Sequence, residues 1–170
     1  ETREFFGVLP EQIEVLVHPQ SLVHALVGFR DGALMSHLGA PDMRHAIGYA
    51  LHWPDRKHLP VARLDLAAHG GLEFRAPDPD RYPALRLAYE VMARGGLCGA
   101  AFNGAKERAL DHFIAGRIGF LDMAAITEHV LDQLETEAGL IDDAITLENV
   151  TRVDDLARRA VDRRVVQKAG

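Results

Sequence analysis

The pair Asp31-Gly32 constrains the fold of this 170-residue chain more than any other feature of its sequence. The pair lies between two apolar runs, residues 22–29 and 33–38. An Asp-Gly pair flanked by apolar segments is typical of a two-residue β-hairpin turn. The sequence therefore predicts two antiparallel strands joined at this pair.

The turn length also predicts which residues face each other across the hairpin. The expected pairs are Arg30 with Ala33, Leu26 with His37, and His24 with Gly39. One face is then mostly apolar and is expected to belong to the core; it carries Val23, Ala25, Val27, Phe29, Leu34, Ser36 and Leu38. The opposite face mixes polar and apolar side chains and suits a site wall or a subunit interface; it carries His24, Leu26, Arg30, Met35 and His37.

A tight corner follows the hairpin at residues 38–44, Leu-Gly-Ala-Pro-Asp-Met-Arg. Gly39 is expected to make the turn. Pro41 and Asp42 are expected in the first turn of the next helix, because proline is preorganised for that position and aspartate complements the helix dipole. Met43 then lies where a strand meets a helix. Its side chain can pack in the core beside the turn or line a pocket, and the pattern leaves both open.

The first part of the chain combines the hairpin with short helices. A helix end is expected within residues 1–9, a short strand at 13–17 and a helix over 41–52, which ends before Trp53-Pro54 because the residue before a proline disfavours helical angles. The helix over 41–52 is predicted from the helical spacing of Met43, Ile47, Ala50 and Leu51. Residues 54–79 are charged and interrupted by prolines, which indicates a linker packed on the surface. The expected domains are 1–53, the linker 54–79, and 80–170.

Residues 80–170 carry four amphipathic segments whose apolar residues recur at helical spacing. The predicted apolar stripe of the first segment consists of Leu85, Ala88, Tyr89 and Met92. The expected helices run over 83–94, over 104–115 with Asn103 as N-cap, from Asp122 as N-cap to near Gly139, and onward from Thr151. Thr151 is expected to form a capping box with Asp154. Four such helices with short connections indicate a small bundle. The expected fold class is therefore α+β, with a partial α/β catalytic or dimerisation domain that contains the hairpin, a linker and a C-terminal four-helix bundle.

Composition excludes several classes of partner. A net charge of −6 gives no basis for binding nucleic acid or an anionic membrane, and no apolar run is long enough to cross a bilayer. The single cysteine, Cys98, excludes an internal disulfide and fits a reducing, cytoplasmic compartment. The chain starts at Glu1 with what looks like the end of a helix, so a longer protein is expected.

No complete catalytic constellation can be inferred from residue types alone. The hairpin is expected to bring His24 close to His37, but the spacing supplies no third metal ligand. Ser21, Ser36 and Cys98 lack the neighbours that activate a nucleophile, and no glycine-rich phosphate loop follows a strand. Scattered surface and interface histidines are the favoured interpretation, with a histidine-dependent metalloenzyme as an alternative.

Several motifs, taken in order, closely resemble the 1-deoxy-D-xylulose 5-phosphate reductoisomerase family. They span nearly the whole chain and are weakest over 138–170. The matching segments are Val-His-Pro-Gln-Ser-Leu-Val-His at 17–24, Asp31-Gly32, the corner at 38–44, and residues 49–54, 64–66, 81–88, 103–107 and 116–120.

The resemblance implies an enzyme that converts 1-deoxy-D-xylulose 5-phosphate to 2-C-methyl-D-erythritol 4-phosphate in non-mevalonate isoprenoid biosynthesis. The family uses NADPH and Mn²⁺ or Mg²⁺, and a cytoplasmic homodimer is expected. Its members have an NADPH domain, a catalytic and dimerisation domain, a linker and a helical bundle. This chain is therefore expected to be the C-terminal portion, without metal ligands or catalytic residues of its own and inactive alone.

The resemblance assigns three residues of this chain to the site. Pro41 and Met43 match positions that pack near the nicotinamide and the substrate. His24 matches a motif histidine near the substrate pocket, although it could instead only orient the hairpin. Glu1 lies one helical turn beyond the family's last metal-binding glutamate and is not assigned that role.

Two segments depart from the family or stay without a role. The family usually has Asn-Ala-Ala-Asn-Glu where this chain has Asn-Gly-Ala-Lys-Glu at 103–107, a change expected to alter helix capping. No role is predicted for the basic segment 163–168. The alternative function is a stand-alone, non-catalytic dimerisation or interaction module that uses the mixed hairpin face.

Overall fold

The computed structural model describes residues 1–136 and 141–169. The chain divides into two compact units, one formed by Glu1–Glu14 with Asp78–Gly170 and the other by Val15–Pro77. The α+β class, with one hairpin and a bundle of four long helices, is confirmed. The elements are α1 (Thr2–Phe6), a 3-10 turn (Pro10–Gln12), β1 (Val23–Gly28), β2 (Leu34–Leu38), α2 (Arg44–His52), α3 (Leu66–His69), α4 (Pro83–Arg94), α5 (Cys98–Ile114), α6 (Phe120–Thr136) and α7 (Leu147–Ala169).

Helix α5 forms the centre of the helical unit and packs against α6 and α7. Most of its buried residues are small, which lets the neighbouring helices approach closely; they include Ala101, Ala105 and Ala109. The apolar stripes predicted for the last two helices face this core. Their buried members are Ile126, Val130 and Leu134 on α6, and Val153, Ala160 and Val165 on α7.

Helix α4 has the bounds that the sequence predicts, but the face that it buries is not the predicted one. Leu87 is its fully buried residue, and Val91 packs against the core. The predicted stripe is only half-buried and consists of Leu85, Ala88, Tyr89 and Met92. The Tyr89 hydroxyl donates a hydrogen bond of 2.8 Å to the carbonyl oxygen of Ile13, so one member of that stripe anchors the N-terminal segment instead.

Helix α5 begins at Cys98, so the predicted start at residue 104 is wrong. Asn103 lies inside the helix and is not its N-cap. Gly104 is buried, and a Cβ placed there would lie 2.8 Å from the carbonyl oxygen of Asp154 on α7. The segment 103–107 therefore concerns the contact between two helices, not helix capping.

Helix α6 begins at Phe120, so the prediction that Asp122 is its N-cap is wrong. Asp122 lies in its first turn, where its carboxylate accepts a hydrogen bond of 2.8 Å from the Gly119 amide. This is the reciprocal half of a capping box, in which an acidic residue in the first turn bonds back to the N-cap amide. The predicted end near Gly139 lies outside the described residues.

Helix α7 begins at Leu147, four residues before the predicted start at Thr151. Thr151 is inside the helix, and its hydroxyl donates to the carbonyl oxygen of Leu147. The capping side chain is Thr146, whose hydroxyl oxygen accepts a hydrogen bond of 3.2 Å from the Asn149 amide. A serine or threonine in this position satisfies an amide that the helix leaves free.

The basic segment 163–168 forms the end of α7 and has a structural role. Val165 is buried in the core of the helical unit. Lys168 forms an ion pair with Asp122 on α6. The segment therefore joins the end of one helix to the beginning of another.

The hairpin of the unit Val15–Pro77 has a register that differs by one residue from the predicted one. Leu26 faces Ser36, and Val27 faces Met35, with a bulge between Val23 and Ala25. The connection is a three-residue loop, residues 30–32. The amide of Phe29 donates to the carbonyl oxygen of Ala33, and the amide of Gly32 donates to the carbonyl oxygen of Phe29. The predicted two-residue turn and its pairs are therefore wrong.

The one-residue shift mixes the two predicted faces, and neither of them forms a core within this unit. The exposed fraction of Val27 is 54%, and that of Leu34 is 71%. In the unit Val15–Pro77, which is described completely, the buried residues are Leu22, Gly39 and Gly48.

The predicted strand at 13–17 does not form. Only Val17 pairs as in a strand, and it exchanges two backbone hydrogen bonds, of 2.9 and 3.0 Å, with Arg75. The His18 ring stacks on Phe74 with 4.7 Å between centroids, and its Nδ1 donates to the carbonyl oxygen of Glu73 at 2.7 Å. The motif that begins at residue 17 is thus held by residues 73–75. No helix among the described residues has the length and apolarity that a membrane span requires.

Candidate functional site

The corner at residues 38–44 makes two turns before α2 begins. The amide of Asp42 donates to the carbonyl oxygen of Ala40 at 2.8 Å, and Arg44 is the first helical residue. The prediction that Pro41 and Asp42 lie in the first helical turn is therefore wrong. Both residues precede the helix, and Met43 occupies its N-cap position.

Asp42 fixes the geometry of this corner through its carboxylate. The carboxylate accepts a hydrogen bond of 2.9 Å from the backbone amide of Arg44 and another of 2.9 Å from the Nε of the same residue. These side-chain and backbone hydrogen bonds hold the pKa of Asp42 at about 2. The corner is thus ordered by a local ion pair that stays charged over the whole neutral range.

His24 connects β1 to the corner. Its Nε2 donates to the carbonyl oxygen of Gly39 at 3.2 Å, and the His24 and His37 rings lie 5.6 Å apart between centroids. The proximity of these two histidines is as predicted. Among residues 1–136 and 141–169, no group of three or more histidine, cysteine, aspartate or glutamate side chains is arranged to hold a metal ion.

Met43 projects from the corner into solvent, with an exposed fraction of 71%. Ile47 and Leu51 follow it at intervals of one helical turn and are exposed by 53% and 76%. We call these three residues the α2 apolar stripe. The helical spacing that predicts them is confirmed, but the stripe does not face a core of this unit.

The opposite side of α2 is the buried one. Gly48 lies against Leu59, and a Cβ placed at Gly48 would come within 2.4 Å of a Leu59 methyl group. A glycine inside a helical pattern often marks such a close approach. That glycine was the signal available in the sequence for the contact between α2 and the following segment, a contact that the apolar spacing alone did not predict.

The three residues assigned to the site by resemblance lie around one corner. Pro41 and Met43 are both exposed on it, and His24 is bonded to Gly39, two residues before Pro41. Ser21 adopts a left-handed conformation with φ 52°, at the bend before β1. Within the described ranges, the corner offers apolar surface and hydrogen-bonded backbone, but no nucleophile with an adjacent base.

A family model described as the DXP reductoisomerase C-terminal domain matches residues 38–160. A 1-deoxy-D-xylulose 5-phosphate reductoisomerase from Ruegeria sp. strain TM1040 is 84% identical over 170 residues, and one from Ruegeria pomeroyi is 73% identical over the same length. Both matches cover all of this chain. The chain spans 43% of the length of each of these relatives.

Solved structures of reductoisomerases have the same fold. The chain is 37% identical to the Zymomonas mobilis enzyme in complex with NADPH, with a TM-score of 0.82 over 96% of this chain and 42% of that one. It is 35% identical to a reductoisomerase in complex with NADPH, fosmidomycin and magnesium, with a TM-score of 0.88 over 96% of this chain and 41% of that one. The family model, the sequence relatives and the fold agree, and the chain belongs to the 1-deoxy-D-xylulose 5-phosphate reductoisomerase family.

Proposed function

We propose that this chain works as part of an enzyme that converts 1-deoxy-D-xylulose 5-phosphate to 2-C-methyl-D-erythritol 4-phosphate in isoprenoid biosynthesis. The reaction combines a rearrangement of the carbon skeleton with reduction by NADPH, and it requires Mg²⁺ or Mn²⁺. The enzyme is proposed to be a cytoplasmic homodimer. Residues 1–53 belong to its catalytic domain, 54–79 to its linker and 80–170 to its helical domain.

The observation that supports this proposal best is the exposed α2 apolar stripe beside an ordered corner. Met43 is exposed by 71% although it is held at the N-cap of a helix, so its position is fixed while its side chain stays uncovered. An apolar side chain in that situation is suited to pack against a flat apolar ring. The residues at this corner therefore fit one wall of a nicotinamide site.

Each proposed site residue has a distinct part. Pro41 and Met43 pack against the nicotinamide ring and exclude water from one side of it, and a dry site favours hydride transfer over side reactions. His24 holds the corner in place through its bond to the Gly39 carbonyl and borders the substrate pocket. NADPH, when bound, supplies the hydride. These roles are positional, and none of the three residues transfers a proton.

The described residues do not fit the metal ion. His24 and His37 supply only two neighbouring ligands, and no carboxylate joins them to complete a metal site within the described ranges. We propose that the metal ion and the cofactor phosphates are bound by the part of the relatives' sequences that this chain does not cover. The chain alone is accordingly proposed to be inactive.

The test is a chimeric enzyme in which this chain replaces the matching segment of the Ruegeria sp. strain TM1040 relative, hereafter the chimera. NADPH oxidation is followed with 1-deoxy-D-xylulose 5-phosphate and Mg²⁺ or Mn²⁺. We expect turnover by the chimera and by the intact relative, and none by the isolated chain. Turnover by the isolated chain would refute its inactivity, and a folded but inactive chimera would refute the proposed function.

A second candidate is a non-catalytic dimerisation module, favoured by the exposed hairpin. Val27, Leu34 and Met35 leave apolar side chains exposed by more than half, a property typical of surfaces that pair with a partner. Sedimentation of the isolated chain tests this candidate. A concentration-dependent dimer that Leu34→Asp abolishes would support it, and a monomer at all concentrations would remove its basis.

A further inference from the structure

The unit Val15–Pro77 contains a cavity of about 490 Å³ between α2 and the segment that follows it. This is within the usual range of small-molecule sites, about 300 to 1,000 Å³. Its apolar wall is formed by Leu38, Leu59, Val61 and Leu64.

The charged groups around this cavity are all basic. Arg56, Lys57 and Arg63 line it together with His45 and His58, and no aspartate or glutamate is among its lining residues. A cleft of one sign concentrates ligands of the opposite sign. The cavity therefore favours an anion, although the chain as a whole has a net charge of −6.

The two arginines are available to a ligand. The Arg56 guanidinium lies 4.2 Å from the centroid of the Tyr49 ring, which orients it without neutralising its charge. Within the described part of the chain, neither Arg56 nor Arg63 forms an ion pair with a carboxylate. Lys57 differs in this respect, because its ammonium lies 3.0 Å from an Asp55 carboxylate oxygen.

His45 adds a polar atom that lacks a partner. Its Nε2 is buried and forms no hydrogen bond within the described structure. The ring lies beside Gly39, where an added Cβ would be 3.4 Å from that nitrogen. A buried polar atom without a partner is costly, and a ligand that bonds to it removes that cost.

We propose that this cavity binds a phosphate monoester that carries a small apolar group. Arg56 and Arg63 bind the phosphate oxygens, since a guanidinium matches phosphate geometry with two parallel hydrogen bonds. The His45 ring donates to the same group or to its bridging oxygen. Leu59 and Leu64 cover the apolar part of the ligand.

This site is separate from the proposed nicotinamide wall. His45, Gly48 and Tyr49 line the cavity from one side of α2, whereas the α2 apolar stripe occupies the opposite side of the same helix. At 100° per residue the two sets lie about half a turn apart. A phosphate ester bound in the cavity is therefore a different ligand from one that contacts Met43.

Binding to the isolated 170-residue chain is measured by titration calorimetry with three probes: phenyl phosphate, inorganic phosphate and benzoate. We expect saturable binding of phenyl phosphate, weaker binding of inorganic phosphate and the weakest binding of benzoate. Arg56→Gln and Arg63→Gln should each weaken phenyl phosphate binding about tenfold, as expected for the loss of a charge-assisted hydrogen bond. Arg63→Lys should retain part of the affinity, and added salt should lower it.

Two matched controls keep the proposal falsifiable. Arg30→Gln removes an exposed arginine in the hairpin loop outside the cavity, and Met43→Ala alters the opposite side of α2; both should leave the affinity unchanged. Circular dichroism verifies that each variant is folded. Three results would each overturn the proposal: no saturable binding, equal binding of benzoate and phenyl phosphate, or loss of binding in Met43→Ala but not in Arg63→Gln. None of these results bears on turnover by the chimera.

Discussion

Met43 is the residue on which the proposed function depends most. Met43→Ala in the chimera should lower kcat/KM for NADPH about tenfold, because truncation removes an apolar contact of about 1.5 kcal/mol. Met35→Ala is the matched control, since Met35 is exposed by 63% but lies on the hairpin. Steady-state kinetics with varied NADPH provide the measurement. Equal effects of the two substitutions would contradict the assignment.

Asp162 illustrates a residue whose role the sequence did not reveal. Its carboxylate accepts hydrogen bonds of 2.7 Å from Arg108 Nε and from Nε2 of the buried His112. Burial alone would raise the pKa of Asp162, but the hydrogen bonds from Arg108 and His112 outweigh it and hold the pKa below its usual range. The two α5 side chains were missed because charged residues at helical spacing predict only a solvated face.

Asp162→Asn should lower the free energy of unfolding by about 1 kcal/mol at neutral pH, a modest amount because the carboxylate is partly exposed. The contribution of a carboxylate with a depressed pKa is present above its unfolded-state value and is lost as the pH falls through the folded-state value. The difference between wild type and variant should therefore persist from pH 7 to about 4 and shrink below it. Urea unfolding across this range measures it. Asp155→Asn, which removes an exposed pair with Arg159, is the control; a difference that grew on acidification would contradict the account.

At the scale of elements, the hairpin shows how a correct prediction of strands can carry a wrong register. The two-residue turn favoured by Asp-Gly requires positive φ at both central residues. Gly32 has φ 86°, but Asp31 does not adopt a positive φ, so the loop takes in Arg30 as a third residue. Because side chains alternate along a strand, a shift of one residue pairs each face of one strand with the opposite face that was predicted for the other strand.

The register can be tested with pairs of cysteines. Leu26→Cys with Ser36→Cys should form a disulfide, since these residues are directly opposed. Leu26→Cys with His37→Cys should not, because the two side chains then lie on opposite faces. Mass spectrometry under mild oxidation provides the measurement, and preferential bonding of the second pair would contradict the register. Cys98 should not interfere, because burial raises the pKa of its thiol.

The contact of α5 with α7 depends on Gly104. Gly104→Ala gains helix propensity of up to about 1 kcal/mol, but its Cβ meets the Asp154 backbone, and overpacking costs about 1 to 3 kcal/mol. We expect a net loss of about 1 kcal/mol in the free energy of unfolding. Gly99→Ala is the control in the same helix, because nothing lies within 4 Å of its Cβ position, and it should be neutral or stabilising. Thermal unfolding measures both, and greater stability of Gly104→Ala would contradict the close approach.

At the scale of the whole molecule, the sequence predicted best those elements that contain their own core. The bundle helices bury apolar stripes against one another, so their periodicity was a sufficient guide to Ile126, Val130 and Val153. Helix beginnings were less predictable. Helices α5 and α7 start at Cys98 and Leu147, before the capping residues that the sequence predicts for them. Packing between helices stabilises these first turns, which no local sequence signal marks.

The unit Val15–Pro77 was predicted less well. Periodicity identifies an apolar face, but it does not say which other part of a protein covers that face. Its hairpin faces and its α2 apolar stripe satisfy the patterns expected of a core, yet they are exposed in this unit. The proposed assignment of Pro41, Met43 and His24 to the site rests on family resemblance.

The most direct test of the central claim is a crystal structure of the chimera with NADPH bound. The quantity to measure is the shortest distance between the Met43 side chain and the nicotinamide ring. We expect van der Waals contact, within about 4.5 Å, with Pro41 on the same side of the ring. A fully bound nicotinamide with Met43 exposed to solvent, or packed against another part of the protein, would contradict the claim that this corner forms a wall of the cofactor site.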